Sequence, residues 1–178
     1  MLIHNNADKK RGFTMIELII TLSILSFGII GVYSVFSPVV TSTYGISHRL
    51  IASYLAQEGF EIVRNLRDNN FIANPSPPTW SDGLRFCQLG CQLDYKTGNP
   101  SVENPENALQ SYTGNYLMIN PDGFYSYDIG GQETIFKRKV TIDDSLGPDV
   151  LKILVSVAWS YNSQPYEFKT EGYLYNWK

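Results

Sequence analysis

Residues 13–37, Phe-Thr-Met-Ile-Glu-Leu-Ile-Ile-Thr-Leu-Ser-Ile-Leu-Ser-Phe-Gly-Ile-Ile-Gly-Val-Tyr-Ser-Val-Phe-Ser, hold a single charged side chain, Glu17. As a helix a run of this length measures roughly 37 Å, enough to cross a hydrocarbon core of about 30 Å. It predicts a transmembrane helix. Lys9, Lys10 and Arg11 stand immediately before it, and Glu17 is the only charge between residues 12 and 48. The positive-inside rule therefore places the N-terminus in the cytoplasm and residues 44–178 outside. A cleaved secretory signal is the rival reading, with Val40-Thr-Ser42 as its cut. Such signals have apolar stretches of only about 7 to 15 residues, and this run is longer and contains a carboxylate.

Glu17 is the residue that needs a reason. An acid at the centre of a bilayer costs roughly 2.5 to 3.5 kcal/mol, and intramembrane acids usually have a partner and a role. On a helix starting at Phe13 the carboxylate lies only about 6 Å from the end, so a purely interfacial position is energetically open as well. The surrounding string, Lys9-Lys10-Arg11-Gly12-Phe13-Thr14-Met15-Ile16-Glu17-Leu18, resembles the leader and cleavage motif of type IV pilins and type II secretion pseudopilins.

That resemblance implies cleavage by a membrane prepilin peptidase after Gly12 and N-methylation of the new N-terminal residue, Phe13. Glycine suits the scissile position because it has no side chain and a permissive backbone. The resemblance also implies an assembly role for Glu17: its carboxylate would pair with the N-terminal ammonium of a neighbouring subunit, neutralising two charges in an apolar filament core. One position departs from the family pattern. The proline common near the twenty-second mature residue is Ser34 here, and the nearest is Pro38, which moves any kink by about one turn. Gly28 and Gly31 are further soft points, equally suited to close helix packing.

At 178 residues the chain has room for one globular domain plus this anchor. Without residues 1–12 it loses three cations and one anion, so the formal charge of −3 becomes −5. No basic stripe follows residue 12, and nucleic acid is not indicated as a partner.

Residues 44–72 continue as an amphipathic stalk helix, with Ile51, Leu55, Ile62 and Leu66 on one stripe and Glu61 spaced to pair with Arg64. Pro75-Ser-Pro-Pro78 ends it. Residues 73–132 read as a loop-rich variable region containing one hairpin, Tyr116–Ile119 and Phe124–Tyr127 about the turn Asn120-Pro-Asp-Gly123. Strands over 134–142, 151–161 and 166–177 form an antiparallel sheet within 133–178, separated by 143–148 and 162–165. In the middle strand Ile153, Val155, Val157 and Trp159 make one apolar face for the helix. The expected fold is α+β and pilin-like: a long N-terminal helix packed on a C-terminal antiparallel sheet.

Cys87 and Cys91, four apart in Phe86-Cys-Gln-Leu-Gly-Cys91, predict a disulfide outside the membrane. Two thiols alone do not make a zinc site, and the histidines are His4 and His48. Asp94 with Asn99, Asp122 with Asp128, and Asp143 with Asp144 offer oxygen ligands, but none has the spacing of a calcium loop. No cofactor is expected. The absence of G-x-S-x-G, H-E-x-x-H and a glycine-rich phosphate loop argues against an enzyme. Trp80, Tyr95, Tyr112 and Tyr125 are candidates for an exposed adhesive surface, with core packing the alternative.

Taken with the resemblance, the reading is a minor pilin or pseudopilin. Its partners would be prepilin peptidase, other pilin subunits, and the inner membrane with its assembly platform; its destination would be an extracellular filament. The alternative from another class is a membrane-anchored binding protein that never polymerises.

Overall fold

The computed structural model describes residues 12–73, 80–98 and 108–177. The leader expected over 1–12 therefore lies outside them except for Gly12, as do Pro75–Pro78 and Asn99. The chain divides into two compact units, Met1–Tyr44 and Gly45–Lys178.

Helix α1, Met15–Ala73, contributes its first half to one unit and its second half to the other. In the first unit the described residues are exposed all round. That is the pattern of a helix whose apolar surface is covered by something other than its own chain.

The second unit is built on a five-stranded antiparallel sheet. Its strands are β1 (Cys91–Gln92), β2 (Gln110–Ser111), β6 (Phe136–Asp143), β7 (Val150–Tyr161) and β8 (Gln164–Tyr175), in the order β2-β1-β6-β7-β8. A short 3-10 helix, Arg85–Leu89, precedes β1. A three-stranded patch, β4-β3-β5, is made by β3 (Met118–Ile119), β4 (Tyr125–Ser126) and β5 (Gln132–Glu133). The α+β class and the terminal antiparallel meander are as the sequence predicts.

The alternation in β7 does what its pattern requires. Leu151, Ile153, Val155, Val157 and Trp159 are buried, while the residues between them are partly open. The hairpin about Asn120–Gly123 is present too: Gly123 N–H donates to Asn120 O at 2.9 Å, and Phe124 N–H to Asn120 Oδ1 at 2.8 Å.

Three boundaries differ. The connection read as 162–165 is a two-residue turn, Asn162–Ser163, with φ of 49° and 61°, and Gln164 and Pro165 already pair with Tyr161 and Ser160 in the ladder. Two left-handed residues give the tight hairpin turn whose twist matches its strands. Pro165 is tolerated because β8 is an edge strand. At the other end β6 starts at Phe136 rather than at residue 134, and β8 stops at Tyr175 rather than at 177.

The helix stripe also shifts. Ile51 and Ile62 lie at the margin, and the face against the sheet is Ala52, Leu55, Ala56, Gly59, Val63 and Leu66. Small residues win because the helix comes close: a Cβ on Gly59 would stand 3.1 Å from Val155 Cγ1 and 3.2 Å from Arg138 Cδ.

Arg138 is fully buried between α1 and β6. Its Nη1 donates to Leu55 O at 3.0 Å and to the Glu58 carboxylate at 2.7 Å, and its Nη2 donates to Leu93 O at 2.7 Å. Tyr127 Oη donates to Arg138 O at 3.1 Å, and burial pushes the Tyr127 phenol up to about 12, against the smaller opposing pull of Arg138.

Two outcomes follow for the full chain in detergent micelles. Arg138→Ala strands Glu58 and two carbonyls, and should lower unfolding stability by on the order of 3 kcal/mol in a denaturant titration, with Glu58→Gln costing less. Tyr127 is neutral in the fold above the pH at which it ionises in the unfolded chain. Its contribution is complete below about pH 10 and is lost as pH rises through about 12. An absorbance titration at 295 nm should show one phenol ionising late, together with unfolding, and Tyr127→Phe should remove that step.

Candidate functional site

The N-terminal segment is organised by its first turn. Gly12, Phe13 and Thr14 precede the helix, and Phe13 is 83% exposed. Thr14 Oγ1 accepts the Glu17 N–H at 3.3 Å, and Thr14 O accepts the Leu18 N–H at 3.2 Å. Thr14 is thus the N-cap, and Thr14-Met-Ile-Glu17 has the spacing of a capping box. Glu17 lies in the first turn, where a carboxylate is favoured by the positive end of the helix. Its side chain is exposed, and among the described residues it forms no ion pair.

From Met15 to Phe36 the helix is long and apolar enough to cross a membrane, with a mean hydropathy of 2.3 in its most apolar window. Its serine and threonine hydroxyls are satisfied within the helix. Thr21 donates to Glu17 O at 2.9 Å, Ser23 to Ile19 O at 2.8 Å, Ser26 to Leu22 O at 2.7 Å and Ser34 to Gly31 O at 2.8 Å. Back-bonding of this kind satisfies each of these four donors, as an apolar environment demands. A Cβ at Gly28 or Gly31 would meet nothing within 4 Å, so both are open to an approaching helix.

In the second unit Cys87 and Cys91 are joined in a disulfide with a Cα–Cα distance of 5.3 Å, and both are fully buried. Gly90 has φ of 113°, and a Cβ there would strike the Lys139 side chain. The bond thus closes a tight ring that only glycine at 90 completes.

The acidic candidates are tied into turns. Asp94 Oδ1 accepts the Lys96 N–H at 3.0 Å and Oδ2 the Tyr127 N–H at 3.3 Å. Asp128 pairs with Lys96, and that hydrogen bond holds its carboxyl below the usual range. Asp143 accepts the Ser145 N–H at 2.9 Å, which lowers its pKa in the same way. Asp144 takes Arg85 Nη1 at 3.0 Å and Gln88 Nε2 at 2.8 Å. Among the described residues no three His, Cys, Asp or Glu side chains gather as a metal site.

The aromatic candidates separate. Trp80, read as an exposed loop residue, is buried and stacked on Phe71 at 6.5 Å; the aromatic residues around the end of α1 supply the reason. Tyr125 is half-buried against the core, and Lys139 lies over Tyr112 at 5.6 Å. Tyr95 remains exposed, stacked on Phe124 at 5.0 Å. They do not form one surface patch with Trp80.

Sequence reasoning missed Arg138 and its partner Glu58. The only signal was a basic residue at an inward position of the strand pattern, Phe136, Arg138, Val140, Ile142.

The family profile of the prokaryotic N-terminal methylation motif matches residues 8–33. No curated protein and no solved structure matches the chain. The disulfide ring sets the measurement here. Closing so short a loop is worth roughly 2 kcal/mol. The double variant Cys87→Ala/Cys91→Ala should lose about that much in a denaturant titration, and the native chain should take up no alkylating reagent until reduced.

Proposed function

We propose, from the N-terminal methylation motif matched over residues 8–33, that the chain is a type IV pilin-like protein, a minor pilin or pseudopilin that serves as a structural subunit of a type IV pilus or type II secretion-like filament. The observation that carries the reading is a single sequence of parts: Gly12 and Phe13 ahead of a capped helix start, Glu17 in the first turn, and an exposed apolar span from Met15 to Phe36.

In this reading prepilin peptidase cuts after Gly12 and the Phe13 amine is methylated. The residues 13–43 anchor the chain in the bacterial inner membrane with its C-terminal body outward, and later pack among the helices of other subunits. Removing residues 1–12 leaves an ammonium at Phe13 only about 6 Å along the axis from Glu17. Within one subunit that proximity competes with hydration. In a filament core, where water is excluded, the Glu17 carboxylate of one subunit and the Phe13 ammonium of the next neutralise each other, and a mismatch in axial position leaves both charges buried and unpaired. The pair thereby sets register. The stalk 44–72, the region 73–132 and the sheet 133–178 form the outer body. The motif points to a structural protein rather than to catalysis.

Coexpression with a prepilin peptidase should give a mature chain beginning at Phe13 by intact mass and N-terminal sequencing, and Gly12→Leu should abolish the cut. Glu17→Ala should still be cut yet disappear from the sheared filament fraction. A protein that only anchors and binds would keep its function with Glu17 replaced, and cleavage near Ser42 would overturn the reading.

A further inference from the structure

Three stretches of the second unit meet at a polar pocket of about 290 Å³. The turn after β1 supplies Asp94, Lys96 and Thr97, β2 supplies Gln110, and the residues after β4 supply Tyr127 and Asp128. The turn is fixed by its own bonds: Asp94 O accepts the Thr97 N–H at 2.9 Å, Thr97 Oγ1 accepts the Asp94 N–H at 2.9 Å, and the Asp94 carboxylate accepts the Lys96 and Tyr127 amides. Gln92, buried in the wall, is set by Thr113 Oγ1, which donates to its Oε1 at 2.7 Å, and by Gln110 Oε1, which accepts from its Nε2 at 3.3 Å. These lining side chains are held before any ligand arrives, so little ordering is left for a ligand to impose.

The lining selects by charge. Asp94 and Asp128 repel an anion, and Lys96 repels a cation. A hard metal ion, which takes six or more oxygens, would find two carboxylates with one already held by the lysine. The ligand that fits is neutral and rich in hydroxyls. The Lys96–Asp128 pair offers it a donor and an acceptor side by side: among the described residues the ammonium gives one N–H to Asp128 and keeps two, and the carboxylate keeps lone pairs of its own. Two neighbouring hydroxyls of a sugar ring match that arrangement, one accepting from Lys96 and the other donating to Asp128. Tyr95 stands in the same turn, with Lys96 Nζ 5.7 Å from its ring centroid. It is 39% exposed, stacked on the exposed ring of Phe124 at 5.0 Å, and pinned by Asn120 Nδ2, which donates to its Oη at 3.1 Å. An aromatic ring held open to water in this way covers the apolar C–H face of a pyranose.

We propose that this pocket binds a neutral sugar, the terminal hexose of a glycan, with adjacent ring hydroxyls on Lys96 and Asp128 and its C–H face against Tyr95. At about 290 Å³ the pocket stands at the small end of ligand sites, which run from roughly 300 to 1,000 Å³, so it takes one ring rather than a longer stretch of chain. The inference goes beyond the filament reading and does not rest on it, because every group it uses belongs to a single chain.

An NMR titration of the backbone amides tests this on the full chain, in a detergent without a sugar headgroup. The probes are D-glucose, D-galactose, D-mannose and N-acetyl-D-glucosamine, with glucuronate and protonated glucosamine as charged counterparts. The expected result is a saturable shift confined to residues 92–97, 110 and 124–128 with at least one neutral sugar, at roughly millimolar concentration, and binding of the charged counterparts weaker by about fivefold or more. Lys96 and Asp128 are both exposed, so Lys96→Ala and Asp128→Ala should keep the thermal midpoint while each weakens binding by about tenfold or more. Tyr95→Ala should weaken it by about threefold or more. No shift of these amides with any neutral sugar up to about 50 mM overturns the site, as does a shift that survives both the Lys96 and the Asp128 variants, or tighter binding of glucuronate or glucosamine. None of these results depends on assembly, so the filament reading stands or falls separately.

Discussion

The second unit depends on the buried cation Arg138. Arg138 is completely enclosed, and its guanidinium joins three separate stretches of chain: the α1 carbonyl of Leu55 with the Glu58 carboxylate, the segment after β1 through Leu93 O, and β6 itself. Removing a guanidinium from water is costly unless its donors are met. Here two of its three nitrogens are met by acceptors 2.7 to 3.0 Å away. A lysine could not reproduce the arrangement, because the rigid fork aims donors in two directions at once. Tyr127 extends the network by donating to the carbonyl of Arg138 itself.

Around that cation the packing is unusually close for a helix on a sheet. Ala52, Ala56 and Gly59 give the helix a smooth face, and Gly59 leaves only about enough space for the Val155 methyl and the Arg138 stem. Gly172 does the same at the other side of the helix, where a Cβ would collide with the Phe60 ring at 2.6 Å. Glycine in mid-helix costs about 1 kcal/mol relative to alanine. The close approach at Gly59 is what offsets that cost, through dispersion contacts that a larger residue would push apart.

Much of this was legible from residue order alone. The anchor is a run of apolar residues with one acid, and no tertiary context is needed to read it. The strands β6 to β8 declare themselves through period-two alternation, because one face is buried and the other is not. What sequence could not give was any feature set by long-range approach. The stripe Ile51, Leu55, Ile62 and Leu66 looked like the core face because large apolar side chains usually are; Leu55 and Leu66 do face the sheet, but Ala52, Ala56, Gly59 and Val63 replace Ile51 and Ile62 there because the helix comes close. Arg138 and Glu58 are 80 residues apart, and nothing local marks them as partners. The strands β1, β2 and β5 are two residues each, too short for a period to show, and β3 and β4 were read only through the turn between them. The positive φ of Ser163 likewise had no signal in its residue type.

The Arg138 network also resolves a problem that the smooth helix face creates. Ala52 and Ala56 are one turn apart and nearly the same shape, so an interface of small apolar residues discriminates weakly between the observed position and a slide of one turn. Polar groups discriminate strongly, because their energy depends on distance and direction rather than on area. A slide of α1 by one turn, about 5.4 Å along the axis, would carry Leu55 O and Glu58 out of hydrogen-bond range and leave a buried guanidinium with one acceptor. A buried polar contact that fixes register is the best-attested use of such groups.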